Sequence, residues 1–383
     1  MTKAIEQTIG IIGGGQLGKM MILEAKKMDF KIIILDPSKD CPAHSIADEH
    51  IIAHFDDKEA IKNLAAKSDL LTYEFEHINV EALKELEAEG YAVYPTAKSL
   101  EIIQDKSTQK ALLKEEGLAV PRFIEVKDKE DIKRAADNFG YPLMLKSCRG
   151  GYDGKGNAPI NNSKEIDKAY QELGGGKNPL MAEEYIPFTK EISVLVCRGL
   201  DGQMTTHPIA ENEHRDSILF ETKVPADISK ELKDKAVQLA FDTMEVFAGV
   251  GIFCIEMFVT KDEVLINEIA PRPHNSGHYS IEGSITSQFE QHIRAIAGLP
   301  LGSTKLVRPI VMRNILGSSK EGEAVVVGAK ELLEIEEAKL HIYGKTQNRP
   351  QRKMGHLTVT ADSVEEASKL ADKASGLIAV DSV

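Results

Sequence analysis

Short apolar segments alternate with amphipathic segments through residues 8–94, and no other feature of the sequence constrains the fold as strongly. The apolar segments have the length of buried strands, and the segments between them place apolar residues near the 3.6-residue spacing of a helix. The predicted strands are 8–12, 31–35, 50–53, 70–75 and 91–94, and the predicted helices are 16–28, 58–67 and 80–89. Such alternation with short connections is typical of a parallel, doubly wound sheet. The sequence therefore predicts an α/β protein that begins with such a sheet.

A second pattern begins after residue 121. Strands that are not regularly separated by helices are predicted at 122–126, 143–147, 180–186, 191–198, 251–259 and 263–270, with helices at 129–138 and 232–247. The chain has 383 residues, and domains average roughly 150 residues. We therefore expect two or three domains.

Composition excludes several classes of protein. The chain has 47 Lys and Arg against 60 Asp and Glu, a net charge of −13, which argues against a general nucleic-acid or anionic-membrane binder. No apolar run approaches the roughly 18 residues of a membrane span, and the N-terminus lacks the layout of a signal peptide. The cysteines are too scattered for a disulfide framework or a cysteine-based zinc site: Cys41, Cys148, Cys197 and Cys254. We expect a soluble, reduced, cytoplasmic protein that binds neither nucleic acid nor membrane.

The first motif is the glycine-rich turn GGGQLG at 13–18, which follows a predicted strand and opens a predicted helix. It fits the pattern GxGxxG, and Asp36 stands where a dinucleotide site would have its ribose-binding acid. The free amides at a helix start bind any phosphate, however, so the motif predicts phosphate binding and leaves dinucleotide binding open. Glycines that merely allow tight strand–helix packing are the structural alternative.

A second glycine-rich loop, GGYDGKG at 150–156, follows the predicted strand that carries Lys146. Four glycines allow the backbone to close over a polyphosphate, and Lys146 and Lys155 add positive charge. The spacing does not match GxxxxGK[ST], so a P-loop is not supported. We interpret the loop as a nucleotide clamp rather than a simple turn.

The segment EEYI at 183–186 ends a predicted strand, where backbone groups could bind the edge of a base. Glu183 or Glu191 could hold ribose hydroxyls, and Lys106 could bind phosphate. The alternative for the two acidic residues is a solvated pair at a strand end, and a lone lysine is usually a surface residue.

Two glutamates are predicted to face one another on a buried hairpin. If the hairpin centres on Asp262, Glu256 and Glu268 are opposite each other, with side chains about 5 Å apart. Like charges among weakly polar neighbours need a neutralising group, and Mg²⁺ commonly joins one or two carboxylates to nucleotide phosphates. Asn267 could join them if the strand end twists. A register error of one residue would instead send one glutamate to the other face.

A dense polar turn, PRPHNSGH at 271–278, follows directly. Arg272 offers a planar fork for a carboxylate, bicarbonate or γ-phosphate. Zinc binding by His274 and His278 is less favoured, because the prolines and glycine interrupt the helix that this spacing needs. A basic cluster at 349–356 could receive a substrate phosphate or could be a solvated loop.

Taken together, these motifs resemble those of the ATP-grasp ligases. The segments that carry the resemblance run in order across nearly the whole chain: GGGQLGKM (13–20), YEFEHI (73–78), QDKSTQK (104–110), KSCRGGYDGKGN (146–157), EEYIPF (183–188), ENEHR (211–215), NEIAPRPHNSGH (267–278) and RKMGH (352–356). GGYDGKG and NEIAPRPHNSGH are highly specific together, whereas the first glycine turn is not. His214-Arg-Asp-Ser-Ile departs from many members, which have a glycine before the aliphatic residue.

The resemblance implies an ATP-grasp fold of three parts. These are a Rossmann-like preATP-grasp domain over 1–105, an α+β lid over 106–188, and a C-terminal ATP-grasp domain over 189–383 with a small β-rich extension. It also implies a homodimer.

The resemblance further implies the residues of the site. The implied ATP ligands are Lys106, Lys146, Gly151, Tyr152, Asp153, Gly154, Lys155, Gly156, Asn157, Glu183, Glu184, Tyr185, Ile186, Glu191, His214, Asn267 and Glu268. The implied substrate contacts are Gln16, Leu17, Glu76, Tyr152, Arg272, His274, Asn275, Ser276, Arg352 and Lys353. The implied magnesium ligands are Glu256 and Glu268, and the implied catalytic residues are Arg272, Lys353 and Asp153.

The implied activity is that of an ATP-dependent carbon–nitrogen ligase of purine biosynthesis. ATP, Mg²⁺ and bicarbonate would carboxylate the exocyclic amine of 5-aminoimidazole ribonucleotide by way of carboxyphosphate, with the first glycine turn on the ribonucleotide phosphate. Three alternatives stay open: a formate- or amino-acid-using relative such as glycinamide ribonucleotide transformylase, a nicotinamide oxidoreductase built on residues 13–36, and a non-catalytic nucleotide sensor.

Overall fold

Strands and helices continue along the whole chain in the computed structural model, which describes residues 6–151 and 156–382. The strands are β1 (Thr8–Ile12), β2 (Lys31–Leu35), β3 (Glu49–Ile51), β4 (Leu70–Tyr73), β5 (Phe123–Val126), β6 (Leu143–Ser147), β7 (Asn157–Ile160), β8 (Leu180–Glu184), β9 (Lys190–Arg198), β10 (Met204–Thr206), β11 (Ala210–Arg215), β12 (Ile218–Val224), β13 (Gly251–Val259), β14 (Val264–Ala270), β15 (Ile310–Leu316), β16 (Gly322–Val327), β17 (Ala338–Ile342), β18 (Gln347–Asn348), β19 (Lys353–Thr360) and β20 (Ala379–Ser382).

The helices connect these strands and cover the sheets. They are α1 (Gln16–Lys27), α2 (Lys58–Ala66), α3 (Val80–Ala88), α4 (Ala97–Ile103), α5 (Lys106–Glu115), α6 (Lys129–Phe139), α7 (Ile166–Glu172), α8 (Lys230–Phe247), α9 (Ser280–Gly283), α10 (Gln288–Ile296), α11 (Ala329–Leu333) and α12 (Val364–Ser375). The predicted α/β class is confirmed. None of the helices in the described ranges is long and apolar enough to cross a membrane.

The first sheet is parallel, with strand order β3-β2-β1-β4. Its apolar strands are buried on both faces, between α1 on one side and α2 and α3 on the other. The predicted strands over 8–12 and 31–35 are confirmed, but the prediction of a further strand over 91–94 is wrong. Only Val93 forms a bridge, to Leu71, because Gly90 turns the chain before it and Pro95 has no amide to continue the ladder.

The second sheet is antiparallel, with strand order β5-β8-β6-β7, and α6 and α7 pack on one face of it. Lys146 lies near the end of β6, and Glu183 lies on the neighbouring strand β8. This sheet therefore brings a lysine and a glutamate side by side ahead of the second glycine-rich loop.

The third sheet has nine strands, eight of them in the order β14-β13-β9-β11-β12-β15-β19-β17, with β10 paired to β9. Helix α8 packs on it through an apolar stripe that includes Ala236, Ala240 and Phe247, as its 3.6-residue spacing predicts. The β13–β14 hairpin forms one edge and carries both of the predicted metal-binding glutamates. A small sheet, β18-β16-β20, lies near the C-terminus.

Candidate active site

A cavity of about 1090 Å³ is lined by residues of the second and third sheets and by residues that follow the strands of the first sheet. Most of the residues predicted from the sequence line it together: Gln16, Leu17, Glu76, Lys106, Lys146, Gly151, Asn157, Glu183, Glu184, Tyr185, Ile186, Glu191, His214, Glu256, Asn267, Glu268, Arg272, His274, Asn275 and Lys353. Residues separated by more than 300 positions in the chain thus share one site.

The two glutamates predicted to oppose each other are paired in the ladder. Glu256 on β13 is the direct partner of Glu268 on β14, so this part of the prediction is confirmed. The route to the pairing differs, because Val259 pairs with Val264, which centres the turn half a residue before Asp262. A register shift after Glu256 leaves Asn267 as an extra residue, and this bulge restores the predicted pairing.

The bulge also explains how two successive side chains reach the cavity. In a regular strand Asn267 and Glu268 would point to opposite faces, whereas both line the cavity here. Oδ1 of Asn267 accepts a hydrogen bond of 3.3 Å from Nζ of Lys146. The strand end therefore contributes an amide oxygen beside the two carboxylates.

The two carboxylates have different electrostatic surroundings. Burial and the neighbouring charge of Glu268 raise the pKa of Glu256 to about 7. Burial also acts to raise the pKa of Glu268, but the ammonium group of Lys106, 2.8 Å away, outweighs it and leaves that pKa below its usual value. One carboxylate is thus balanced by a lysine, and the other lacks a comparable counter-charge among the described residues.

A buried lysine that sequence reasoning missed lies behind this site. Nζ of Lys110 is 2.8 Å from Oε2 of Glu183, and Nζ of Lys146 is 2.7 Å from Oε1 of the same carboxylate. Burial lowers the pKa of Lys110 to about 8. The available signal was spacing, because Lys110 follows Lys106 by four residues on α5 and therefore shares its helix face.

This arrangement corrects the predicted use of Glu183 as a ribose ligand. Its carboxylate is occupied by two lysines, and the carboxylate of Glu184 binds the main-chain amide and Nε of Arg122 at 2.7 and 2.6 Å. Both side chains are therefore engaged by basic residues of the protein, and only their main-chain groups remain for a ligand. Glu191 instead pairs with His214, with Oε2 2.6 Å from Nδ1.

An aromatic pair lies at the same end of the cavity. The rings of Phe188 and Phe258 are stacked, with centroids 4.8 Å apart and planes 7° apart. Both line the cavity next to Tyr185 and Ile186. The combination offers a flat apolar surface beside exposed backbone, which is the environment that a nucleobase requires.

At the other end, Arg272 is held by an acidic partner. Nη2 of Arg272 is 2.8 Å from Oε1 of Glu76, and Nη1 donates to the carbonyl of Pro273 at 3.0 Å. His274 follows on the cavity wall, and burial together with Arg272 and Lys353 keeps its pKa well below the usual value. Glu76 holds the guanidinium at one edge, and the positively charged group can bind an anion in the cavity.

The first glycine turn is closed by a side chain that the sequence did not indicate. The buried carboxylate of Glu74 accepts hydrogen bonds from the amides of Gly15 and Gly18, the second at 2.7 Å. Asp36 accepts from the amides of Gly14 and Ser38, each at 2.8 Å. The amides that would bind a pyrophosphate and the acid that would bind its ribose are therefore already used, which argues against a dinucleotide site.

Three predicted residues do not line the cavity. Ser276 is fully buried behind His274, Arg352 donates through Nη1 to the carbonyl of Gln347 at 2.5 Å, and the carbonyl of Gly156 accepts from Ser147 at 2.7 Å. Four others lie outside the described residues: Tyr152, Asp153, Gly154 and Lys155. The less favoured zinc site gains no support, since no group of three or more His, Cys, Asp or Glu suited to a metal occurs within 6–151 and 156–382.

Three family models match successive parts of the chain. The ribonucleotide synthetase preATP-grasp domain matches residues 6–104, the ATP-grasp domain matches 111–289, and the phosphoribosylaminoimidazole carboxylase C-terminal domain matches 310–370. The predicted combination of domains is confirmed, while the boundaries at 105 and 188 stay predictions.

Curated relatives match over nearly the whole length. The N5-carboxyaminoimidazole ribonucleotide synthase of Bacillus subtilis (strain 168) is 45% identical over 360 residues, covering 94% of this chain and 92% of that protein. The same enzyme of Staphylococcus aureus (strain COL) is 43% identical over 366 residues, covering 94% and 95%.

Solved structures agree with these relatives. The N5-carboxyaminoimidazole ribonucleotide synthetase of Thermotoga maritima superposes with a TM-score of 0.90 at 46% identity, covering 98% of this chain and 100% of that one. The synthase of Aspergillus clavatus, in complex with ADP and 5-aminoimidazole ribonucleotide, gives a TM-score of 0.90 at 33% identity, covering 98% and 99%. The chain therefore belongs to the N5-carboxyaminoimidazole ribonucleotide synthase family of ATP-grasp enzymes.

Proposed function

We propose that this chain uses ATP and bicarbonate to carboxylate 5-aminoimidazole ribonucleotide on its exocyclic amine, forming 5-(carboxyamino)imidazole ribonucleotide, ADP and phosphate in purine biosynthesis. One observation carries the proposal: the Glu256–Glu268 pair with its lysine and the Arg272–Glu76 pair line the same cavity. The cavity thus has one end suited to a nucleotide and another suited to an anion. Transfer of a phosphoryl group to bicarbonate requires both. The complex of the Aspergillus clavatus relative with ADP and the ribonucleotide supports the choice of substrates.

The carboxylate pair fits Mg²⁺. Magnesium is commonly held by one or two carboxylates together with substrate phosphates and water, and it prefers oxygen ligands. Glu256 and Glu268 provide that number, and the amide oxygen of Asn267 lies beside them. Burial and the charge of Glu268 raise the pKa of Glu256, as expected for a carboxylate without a cation of its own among the described residues. We therefore assign Glu256 and Glu268 as the residues that would hold the ion, which when bound neutralises charge on the triphosphate.

The lysines and the second glycine-rich loop are assigned to the phosphates. Lys106 and Lys146 line the cavity, and each is held at a defined position by an acidic partner. Gly151 and Asn157 line the same region. The main chain of the predicted loop 151–157 would follow the phosphates, because glycines let the backbone approach closely.

The remaining nucleotide contacts are assigned to the adenosine. The backbone of residues 183–186 would bind the base edge, next to the stacked Phe188 and Phe258. Burial acts to lower the pKa of His214, but Glu191 outweighs it and raises that pKa above its usual value. This charged pair lines the cavity and would hold the ribose hydroxyls.

The ribonucleotide is assigned to the opposite end. The backbone amides of Gln16 and Leu17 open α1 without an intrahelical partner, so they remain for a phosphate after Glu74 has used the amides of Gly15 and Gly18. Lys353 lines the cavity, and Arg352, which does not line it, precedes Lys353 in the chain. The two cations would share the phosphate charge that the helix start attracts.

The chemistry needs two successive attacks. A bicarbonate oxygen attacks the γ-phosphorus, the bond to the bridging oxygen of ADP breaks, and carboxyphosphate forms. The exocyclic amine then bonds to the activated carbon, or to carbon dioxide released from it, as phosphate departs and the amine loses a proton. Arg272, oriented by Glu76, would bind the bicarbonate-derived anion in both steps, and closure of the predicted lid would exclude the water that destroys it.

We further propose that the protein is a cytoplasmic homodimer. The four cysteines are buried and unpaired, as expected in a reducing compartment. The homodimer rests on the family resemblance, and light scattering of the purified protein tests it.

The decisive experiment measures ADP release as each substrate is omitted in turn. We expect sustained ADP release only when bicarbonate and 5-aminoimidazole ribonucleotide are both present, with product that contains carbon from labelled bicarbonate. Turnover with formate and glycinamide ribonucleotide would indicate the transformylase alternative. Tight NADH binding without ATP binding would indicate an oxidoreductase, and nucleotide binding without any turnover would indicate a sensor.

A further inference from the structure

A chain of buried hydroxyl and amide groups crosses three neighbouring strands and ends at His274. Thr222 on β12 lies opposite Asn212 on β11, and Ser193 lies on the next strand, β9. Oγ1 of Thr222 is 3.0 Å from Oδ1 of Asn212, and Nδ2 of Asn212 is 3.1 Å from Oγ of Ser193. Oγ of Ser193 is 2.8 Å from Oγ of Ser276, which is 2.9 Å from Nδ1 of His274. These contacts form a continuous relay.

At the His274 end of the relay, one hydrogen bond has a known direction of donation. The backbone N–H of Ser276 can only donate, and it points at Nδ1 of His274 at 3.4 Å as the cap of a short 3-10 turn. This contact favours an unprotonated Nδ1, but at 3.4 Å it is longer than a usual hydrogen bond and does not fix the tautomer by itself. The carboxylate of Glu256, 3.9 Å from Nδ1, is too far away for a hydrogen bond. The hydroxyl of Ser276, only 2.9 Å from Nδ1, is then the main donor to that nitrogen.

This direction determines the rest of the relay. A hydroxyl has one proton and two lone pairs, so Ser276 accepts from Ser193 and from the thiol of Cys254, whose sulfur is 3.6 Å away. Ser193 accepts in turn from the amide NH₂ of Asn212, which leaves the carbonyl of Asn212 for the hydroxyl of Thr222. Burial keeps water from competing, since Thr222 and Ser276 are 0% exposed and Ser193 is 1% exposed.

We infer that this relay fixes His274 as the neutral tautomer with its proton on Nε2, and that His274 serves the reaction as a hydrogen-bond donor. Its Nδ1 edge faces Ser276, while the ring lines the cavity next to Arg272. The Nε2–H group therefore faces the cavity, and no ring nitrogen is available as a base. No proton is transferred in this role. Thr222, Asn212, Ser193 and Ser276 are positioning residues.

The identity of the acceptor rests on the proposed function: it would be an oxygen of the bicarbonate-derived anion. A neutral N–H donor stabilises such an oxygen without protonating it, as donors in oxyanion sites do. The tautomer itself does not depend on the reaction. The two parts can therefore fail separately.

The test is a ¹⁵N spectrum of the full-length protein with labelled histidine, recorded without ligands and assigned by comparison with His274→Gln. Coupling to the ring protons distinguishes a protonated from an unprotonated ring nitrogen. We expect a single Nε2–H tautomer in the wild type. A His274 that is protonated on Nδ1, or on both nitrogens, at neutral pH would overturn the inference without any variant.

Two variants test whether the relay is the cause. Ser193→Ala removes its central hydroxyl, and Asn212→Asp keeps the shape but replaces the donor to Ser193 with an acceptor, which reverses the direction. Each should give a mixture of His274 tautomers. Ser284→Ala is the matched control, because Ser284 is buried and its hydroxyl has no partner in the described part of the chain. A wild-type spectrum in both relay variants would show that the relay does not set the tautomer.

Kinetics provide the second readout. Loss of a well-oriented donor should lower kcat on the order of tenfold in Ser193→Ala, with the KM for ATP nearly unchanged. Ser284→Ala should keep wild-type constants. Equal loss in both serine variants would indicate general destabilisation and overturn the positioning role. A correct tautomer in a protein with no carboxylation activity would refute the proposed function alone.

Discussion

Lys110 and Glu183 form an ion pair of 2.8 Å in which each side chain is only 2% exposed, and the other oxygen of that carboxylate binds Lys146. Lys146 lines the cavity, whereas Lys110 lies behind the carboxylate. The buried carboxylate that holds Lys146, a lysine assigned to the phosphates in the proposed function, is therefore neutralised by a second lysine on its other oxygen. The position of Lys146 thus depends on a residue that does not line the cavity.

Lys110→Met should weaken both the fold and ATP binding. Removing one partner of a buried pair typically costs about 3–5 kcal/mol of unfolding free energy, and Glu183 would then be balanced by Lys146 alone, which lowers the charge available to the phosphates. We expect the KM for ATP to rise more than that for the ribonucleotide. Urea unfolding and steady-state kinetics measure the two effects. Lys114→Met, at an exposed position of the same helix, is the control and should change neither.

Glu268→Gln should abolish ATP turnover while the protein remains folded. The substitution keeps the side-chain size but leaves a single carboxylate for the proposed cation, and it removes the partner of Lys106. We expect a fall in kcat of at least about a hundredfold, measured as ADP release, with a circular dichroism spectrum like that of the wild type. Glu263→Gln, at an exposed position of the same hairpin, should stay fully active. Retained turnover in Glu268→Gln would show that the metal assignment is wrong.

Features set by local spacing could be predicted from the sequence. The strand over 8–12 follows from the alternation of apolar and amphipathic segments. The opposed glutamates follow from the distance of each glutamate to the turn. The predicted pairing of Glu256 with Glu268 is nevertheless correct only because two differences from the predicted hairpin compensate each other. The turn is shifted, and Asn267 forms a bulge. A bulge leaves no local signal in the sequence, because any polar residue can occupy it.

Features that depend on distant segments could not be predicted. Glu74 caps amides that lie 59 and 56 residues earlier in the chain, so its closure of the glycine turn has no signature in GGGQLG itself. Lys110 looks like an ordinary helix-surface lysine until β8 places Glu183 against it. Glu74 and Lys110 are charged, and charged side chains are rarely buried unless they are paired. Only their tertiary partners explain their buried positions.

Lys353→Ala should impair ribonucleotide binding more than ATP binding. Lys353 lines the cavity, its charge acts on His274, and it is assigned to the substrate phosphate. Charge-assisted hydrogen bonds contribute about 1.5–3 kcal/mol, so the KM for 5-aminoimidazole ribonucleotide should rise roughly tenfold or more. Lys339→Ala, at an exposed position on β17, is the control. An unchanged ribonucleotide constant would refute the phosphate role.

The stability of the fold should fall in mild acid, and His292 should account for part of that loss. This buried ring joins two parts of the chain, since Nδ1 accepts from the amide of Ile252 at 3.1 Å and Nε2 contacts Oγ1 of Thr72 at 2.9 Å. Burial lowers its pKa from about 6.5 to about 3. The unfolded chain therefore binds the proton first, so this contribution is complete above pH 6.5 and decreases progressively as the pH falls towards 3.

His292→Gln tests this contribution by removing the titrating group while retaining an amide near the Nε2 position. The variant should be less stable at pH 7.5, yet its unfolding free energy should depend less steeply on pH between 6 and 4.5. The difference in slope approaches about 1.4 kcal/mol per pH unit, the value for one proton. Urea unfolding at several pH values measures it. His54→Gln, at an exposed site, should leave the slope unchanged, and an equally steep slope in His292→Gln would assign the acid sensitivity to other groups.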